Sequence, residues 1–218
     1  MKILALETSA KACSAAVVED GVLLASAWQC TGLTHSRTLM PMVEAMLANS
    51  ELSLDGVGAI AVAAGPGSFT GIRIGIAAAK GLAWAKELPC VGVSTLEAMA
   101  WGLAHTDALL VCAMDARRDQ VYNALFQAKD GVLTRLTPDR GIAVAELAAE
   151  LQSDGRAKIV LGDGAALCYN GLSKNGVACA LAPAAARRSA ARATPTALCW
   201  SRWAGARAQA TPFFDKPL

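Results

Sequence analysis

Glu7, Asp115 and two glycine-rich turns are the residues best placed by type and spacing to do chemistry. The longest string is Gly65-Pro66-Gly67-Ser68-Phe69-Thr70-Gly71-Ile72-Arg73-Ile74-Gly75. It joins an apolar run to an Ala-rich segment and so reads as a strand-to-helix turn. Glycines there let backbone N–H groups converge at a helix N-terminus, where unpaired amides and the macrodipole favour an anion. The competing reading is a tight turn with Ser68 or Thr70 capping the helix. It is not a Walker loop, because no Lys-Ser/Thr pair follows Gly71, and its third glycine falls one residue late for G-x-G-x-x-G. Glu7 closes the first strand and is followed by Thr8 and Ser9, and Asp115 closes the matching strand of the second half. Carboxylates in such places can face phosphates and magnesium across a cleft. Thr8-Ser9-Ala10-Lys11 lacks the glycines of a phosphate loop, however, and Arg117 and Arg118 beside Asp115 and Asp119 are expected to form an internal ion pair. Gly162-Asp163-Gly164 can pass an adenosine moiety or turn the chain, and the turn is the preferred reading.

Metal and nucleophile chemistry find little support. His35 has Leu39 four residues later, so no helical histidine pair exists, and His105 stands alone. No G-x-S-x-G elbow occurs, and Ser68 has no identifiable base. The seven cysteines include no C-x-x-C pair and read as small buried residues of a reducing compartment.

The elements that position these residues follow from periodicity. Strands are expected at 3–7, 13–18 and 22–28, with Glu19-Asp20-Gly21 as a hairpin turn, then at 57–64 and 90–93. Helices are expected at 36–49, with Pro41 in its first turn, at 71–86, and at 95–104 with Thr95 as N-cap. The second half repeats the order: strands at 108–114, 120–127 and 132–136, a helix at 142–151 and a strand at 158–161. A last helix is expected at 194–209, with Thr194 as N-cap and Pro195 at its first position. The stretch 182–193, with Arg187, Arg188 and Arg192, reads as a solvated face. The repeated β-β-β-α-β-α pattern implies an α/β protein of two lobes, 1–105 and 106–218, around a cleft.

Two helices carry more apolar surface than one stripe needs. Leu39, Met40, Met42, Val43, Met46 and Leu47 wrap the first, and Gly71, Gly75 and Ala79 line the second with small residues. Internal packing and a subunit contact are both open readings. The chain has 218 residues, 54% hydrophobic and 17% charged, with a net charge of +2. That composition excludes disorder and gives no broad basic field for gripping nucleic acid unaided. Apolar stretches are broken before reaching a membrane span, and the run after Lys2 is too short for a secretory signal, so a cytoplasmic location is expected.

Taken with Glu7-Thr8-Ser9, His35-Ser36, Asp115-Ala116-Arg117-Arg118 and Thr194-Pro195-Thr196-Ala197, the Gly65–Gly75 string resembles the TsaB family. These are glycoprotease-like bacterial components, also called YeaZ, of the tRNA threonylcarbamoyladenosine machinery. The ending Pro212-Phe213-Phe214-Asp215-Lys216 departs from the family's usual Tyr-Leu-Arg. The resemblance implies an actin-like, sugar-kinase-like (RNase H-like) ATPase fold. It also implies a non-catalytic partner of TsaD, because TsaD holds its metal through a histidine pair of which this chain has only His35. The implied contact residues are Leu39, Met42, Val43, Met46, Arg73, Ala77 and Lys80, with self-pairing into a homodimer when TsaD is absent. The small ATPase TsaE joins the pair, tRNA is reached through the complex, and Arg117 and Arg118 are open to facing either, with the ion pair to Asp115 or Asp119 the preferred reading. Glu7, Thr8, Ser9, Gly65, Gly67, Ser68, Asp115, Gly162 and Gly164 become a vestigial nucleotide or anion site. No metal and no cofactor of the chain's own is implied, ATP or ADP binding only weakly or within the complex. The alternatives are an independent ATP-dependent kinase or ATPase of the same fold and, further off, a metalloprotease.

Overall fold

The computed structural model describes residues 1–182. The segment at 183–193, the helix expected at 194–209 and the departing tail lie outside the described residues.

Two sheets are each built from a meander followed by parallel strands. The first contains β1 (Lys2–Glu7), β2 (Cys13–Glu19), β3 (Val22–Gln29), β4 (Ala59–Gly65) and β5 (Cys90–Ser94) in the order β3-β2-β1-β4-β5. The second contains β6 (Ala108–Arg117), β7 (Gln120–Lys129), β8 (Val132–Arg135), β10 (Lys158–Leu161) and β11 (Ala180–Leu181). Its order is β11-β10-β6-β7-β8, and β9 (Arg140–Ala143) pairs with β7. Read from opposite ends, the two orders are the same. Helices are α1 (His35–Asn49), α2 (Phe69–Ala85), α3 (Thr95–Trp101), α4 (Val144–Leu151) and α5 (Ala165–Lys174).

The period-two alternation of the central strands distributes the core into layers. Leu4 and Leu6 of β1 face a cluster with α1 and α2, whereas Ala5 faces Val18, Ala61, Val93 and Ala98 on the other side. In β6, Leu109, Val111 and Ala113 face α4 and α5, while Leu110, Cys112 and Met114 face Leu96, Met99 and Ala100 of α3. Helix α3 therefore lies between the two sheets, giving Ala98 to one and Leu96 and Met99 to the other. Arg135 of β8 bonds Glu97 of α3 at 3.0 Å and lies 4.7 Å over the Phe126 ring, fixing the helix to the second sheet. Ala10, in the β1–β2 turn, joins the second sheet's cluster as well.

Several expectations need correction. Leu39, Met42, Val43 and Met46 do not form an exposed contact face, since all four are buried against the sheet and α2. The second partner that so wide an apolar stripe requires is inside the chain's own lobe. Pro41 lies in the second turn of α1, because the helix begins at His35. Both Pro41 and Arg37 are exposed, which puts the backbone group that the ring leaves unpaired on the wet side. The α3 N-cap is Ser94, whose hydroxyl accepts from the Glu97 N–H, and not Thr95. The segment expected as one helix at 142–151 starts as β9, with Ile142 opposite Val121, before turning into α4. Helix α5 and strand β11 are missing from those expectations. Strand β11, of two residues, is too short to show a period, whereas α5 buries Ala165, Cys168 and Leu172 at helical spacing.

Glycines in α2 divide into required and dispensable ones. A Cβ on Gly71 would stand 2.1 Å from the Thr8 carbonyl oxygen, and one on Gly75 would stand 2.3 Å from Thr8 Oγ1. A Cβ on Gly81 meets nothing within 4 Å. Gly71→Ala should therefore destabilise the protein by about 3 kcal/mol, whereas Gly81→Ala should stabilise it by about 1 kcal/mol through helix propensity. Urea denaturation of the two variants checks the contrast.

Candidate functional site

Strands β1, β4 and β5 run parallel, and their carboxyl ends form the edge where α/β sheets ordinarily receive ligands. The chain closes this edge with its own backbone. The Ser68 N–H donates to the Ser9 carbonyl at 2.6 Å, and Thr8 Oγ1 donates to the Gly71 carbonyl at 2.7 Å. Gly67, with φ of 155°, approaches Ser9 so closely that a Cβ would fall 2.5 Å from its carbonyl oxygen. Ser68 caps α2, its hydroxyl accepting from the Gly71 N–H at 3.3 Å. Of the two readings of the Gly65–Gly75 string, the capped tight turn is the one the geometry favours. Two of the amides that could have met an anion are already taken, Ser68 by Ser9 and Gly71 by Ser68.

Glu7 is fully buried beneath this contact. Its Oε1 accepts from the Ser9 N–H, and its Oε2 has no hydrogen-bond partner among the described residues. Burial pushes the Glu7 carboxyl from the ordinary 4.5 up to about 7, against the opposing pull of hydrogen bonds from Ser9 and Thr8.

The matching acid of the second sheet is arranged differently. Asp115 is exposed, and its Oδ1 accepts from the Arg117 N–H at 2.7 Å. Its own N–H donates to Asp163 Oδ1 at 3.1 Å. The expected ion pair of Arg117 or Arg118 with Asp115 or Asp119 does not form among the described residues. The carboxylate is turned to backbone instead. Gly162 and Gly164 let the β10–α5 turn rest on β6: added Cβ atoms would lie 1.9 Å from the Ala113 carbonyl oxygen and 2.8 Å from the Asp115 nitrogen. Gly164 N–H donates to that same Ala113 carbonyl at 3.1 Å. This is the turn preferred from sequence.

The two histidines stay apart from any donor set. His35 Nε2 donates to the Ala10 carbonyl at 2.7 Å, and Leu39 points into the core. Among the described residues no three His, Cys, Asp or Glu side chains converge as a metal site would need. A groove of about 390 Å³ lies elsewhere, between α1 and edge strand β3, lined by Trp28, Arg37, Pro41 and Met46 among others.

On the outside of α2 a different feature stands out. Arg73, Ala77 and Lys80 are exposed. The ridge they form also carries Phe69 and Trp84, which are 69% and 89% exposed, and Arg73 stacks 3.8 Å from the Phe69 ring centroid. The aromatic pair was missed in the sequence. Its signal is the spacing 69, 73, 77, 80, 84, which places all five on one helical stripe.

Two lobes of one repeated strand order, sharing a helix, define the actin-like, sugar-kinase-like ATPase class of fold. Residues 29–197 match the family model described as TsaD: tRNA N6-adenosine threonylcarbamoyltransferase. The tRNA threonylcarbamoyladenosine biosynthesis protein TsaB of Bacillus subtilis is 36% identical over 162 residues, 74% of this chain and 71% of that one. Its Escherichia coli namesake is 44% identical over 129 residues, 58% of this chain and 55% of that one. The structure of YeaZ from Pseudomonas aeruginosa superposes with a TM-score of 0.74 at 28% identity, covering 95% of this chain and 93% of that one. The chain belongs to the TsaB, or YeaZ, branch of the family that this model describes.

Burial of Glu7 has a consequence that titration can read. Its folded value lies above its unfolded one, so folding takes up a proton between pH 4.5 and about 7. This contribution is fully present below pH 4.5, falls as the pH rises and levels off above about 7, a change on the order of 3 kcal/mol. Glu7→Gln should lack that slope and be the more stable chain at pH 8. Urea denaturation of both proteins from pH 5 to pH 8 measures the difference.

Proposed function

We propose that this chain is the accessory subunit of tRNA threonylcarbamoyladenosine formation that binds and activates the transferase TsaD, without turnover of its own. The observation that carries the reading is the exposed ridge of α2, in which Phe69 and Trp84 flank Arg73, Ala77 and Lys80. Large aromatic side chains beside cationic ones, over an otherwise well-packed lobe, are the composition of a docking face. The buried α1 residues act behind it by holding α2 in place. In the absence of TsaD the same ridge offers a self-pairing surface, giving a homodimer. The ATPase TsaE and tRNA are reached through the assembled complex. The location that goes with this role is the cytoplasm, and no helix among the described residues is long and apolar enough to cross a membrane.

Support for the absence of a cofactor of its own comes from the closed edge. Thr8 and Ser9 fill the space that the glycines leave, and the Glu7 carboxyl has no solvent access. These features weigh against the reading as an independent kinase or ATPase, which would need that edge for magnesium and phosphates. The family's inactive partner role rests also on Leu39, which supplies carbon to the core where a metal site would want imidazole.

Trp84→Glu and Ala77→Arg, together, should weaken assembly with TsaD at least tenfold while leaving the melting temperature close to that of the wild type, since both side chains are exposed. Val43→Glu should instead unfold the lobe, because it buries an unpaired charge. Sedimentation velocity with purified TsaD, beside thermal melts of each variant, tests this. Undiminished assembly of the α2 double variant would place the docking face elsewhere.

A further inference from the structure

The hairpin between β6 and β7 departs from the chain's own practice. The β2–β3 and β7–β8 hairpins turn through Asp20-Gly21 and Asp130-Gly131, with φ of 47° and 82°, and of 52° and 80°. Asp-Gly is the sequence that such left-handed two-residue turns prefer. At the β6–β7 turn Arg117 pairs with Gln120, and Arg117, Arg118 and Asp119 have φ of 68°, 52° and 56°. These are three successive non-glycine residues in the left-handed region, where a Cβ crowds the backbone. Elsewhere in the described chain non-glycine residues of this kind occur singly, in Asp-Gly turns or just beyond a helix end, as at Glu51 and Glu87.

The conformation is held without help from either arginine side chain. Arg117 N–H is bound by Asp115 Oδ1 at 2.7 Å, and the Asp119 carbonyl accepts from Val144 N–H, at the start of α4, at 3.1 Å. Glycine or asparagine would meet both requirements with less strain. Arg117 and Arg118 are exposed, and neither guanidinium has an ion pair or hydrogen bond with a described residue. Arg135, Arg140 and Arg156, by contrast, each hold a carboxylate at 3.0 Å or less. Two guanidiniums without a partner among the described residues are thus carried on consecutive residues of a backbone that disfavours them.

The turn stands at the carboxyl end of β6, beside the Gly162–Gly164 turn. Lys11, also exposed, reaches the same edge closely enough to act on the charge of Asp163. The turn is exposed, and between residues 116 and 120 it carries no large apolar side chain to anchor a protein contact. Planar guanidinium forks on two consecutive exposed residues suit the phosphates of an extended polyanion. We propose that the Arg117–Arg118 turn is a phosphate-contact element for RNA, positioning it without reading its sequence. This rests on the reading of the chain as part of tRNA modification, which supplies the RNA.

Fluorescence anisotropy of labelled tRNA, with the full-length chain alone and with TsaD added, compares the wild type with R117A/R118A, R117K/R118K and R117G/R118G. The double-alanine chain should bind tRNA and an unrelated RNA several-fold more weakly, to the same extent. Its plot of log affinity against log salt should be shallower by about two. The double-lysine chain should keep most of the slope. The double-glycine chain should bind as weakly as the alanine variant yet melt about 2–4 °C higher, because strain is relieved. Unchanged affinity and slope in R117A/R118A overturns the inference. So does a loss confined to assembly with TsaD while RNA binding by the lone chain is unaltered, since the turn is then a protein contact. Absence of RNA binding by the wild type, alone and with TsaD, overturns it too. Failure of the wild type to assemble with TsaD overturns the accessory-subunit reading instead, and the RNA titration of the lone chain still judges the turn.

Discussion

Thr8 and Ser9 lie against the start of α2 at separations that only glycine permits. With Gly67, Gly71 and Gly75 in place, the backbone after β1 can touch the helix, exchange hydrogen bonds with it and seal the end of the first sheet. Everything around that contact is set by it. Glu7 is buried because the seal lies over it, Ala10 is carried across to the second sheet's core, and the outer stripe of α2 is turned to solvent. The carboxyl edge of parallel strands is where α/β sheets ordinarily receive ligands. Here the occupying atoms belong to the chain, so the glycines work in close packing.

The second sheet solves the same geometric problem with different chemistry. Gly162 and Gly164 bring the β10–α5 turn onto β6 as Gly67 and Gly71 bring Ser9 and Thr8 onto α2. The acid there remains at the surface, however, and spends its oxygen on a backbone amide. One half thus buries its carboxyl and presents aromatic side chains among cations on α2, while the other exposes Asp115 beside Arg117 and Arg118. The protein contact proposed for α2 and the RNA contact proposed for the β6–β7 turn thus belong to different sheets.

Much of the architecture was legible because strand alternation and hairpin turns are local. Asp20-Gly21 and Asp130-Gly131 announced two hairpins, and the uninterrupted apolar run before Gly65 announced a strand covered on both faces. The exposure of the α1 side chains was not legible. Leu39, Val43 and Met46 have the same periodicity whether the surface they meet is in the same chain or another, and only the position of the sheet decides. The burial of Glu7 was hidden for a similar reason, since it depends on a turn some 60 residues away. Phe69 and Trp84 share the spacing of Arg73 and Lys80, but only the position of the sheet shows that this stripe of α2 faces solvent. Strand β11, of two residues, is too short for a period to emerge, whereas α5 carries one in Ala165, Cys168 and Leu172 that went unread.

Helix α3 supplies side chains to both sheets, and this bears on how the molecule comes apart. Remove it, and among the described residues each sheet keeps helices on one face and loses the helix on the other. Neither half is then a self-sufficient body: Leu110, Cys112 and Phe126 of one and Ala5 and Ala61 of the other would meet water together. The two halves are accordingly bound to melt in concert, and a protease that cut the chain on either side of this helix would release fragments that adhere to one another or precipitate.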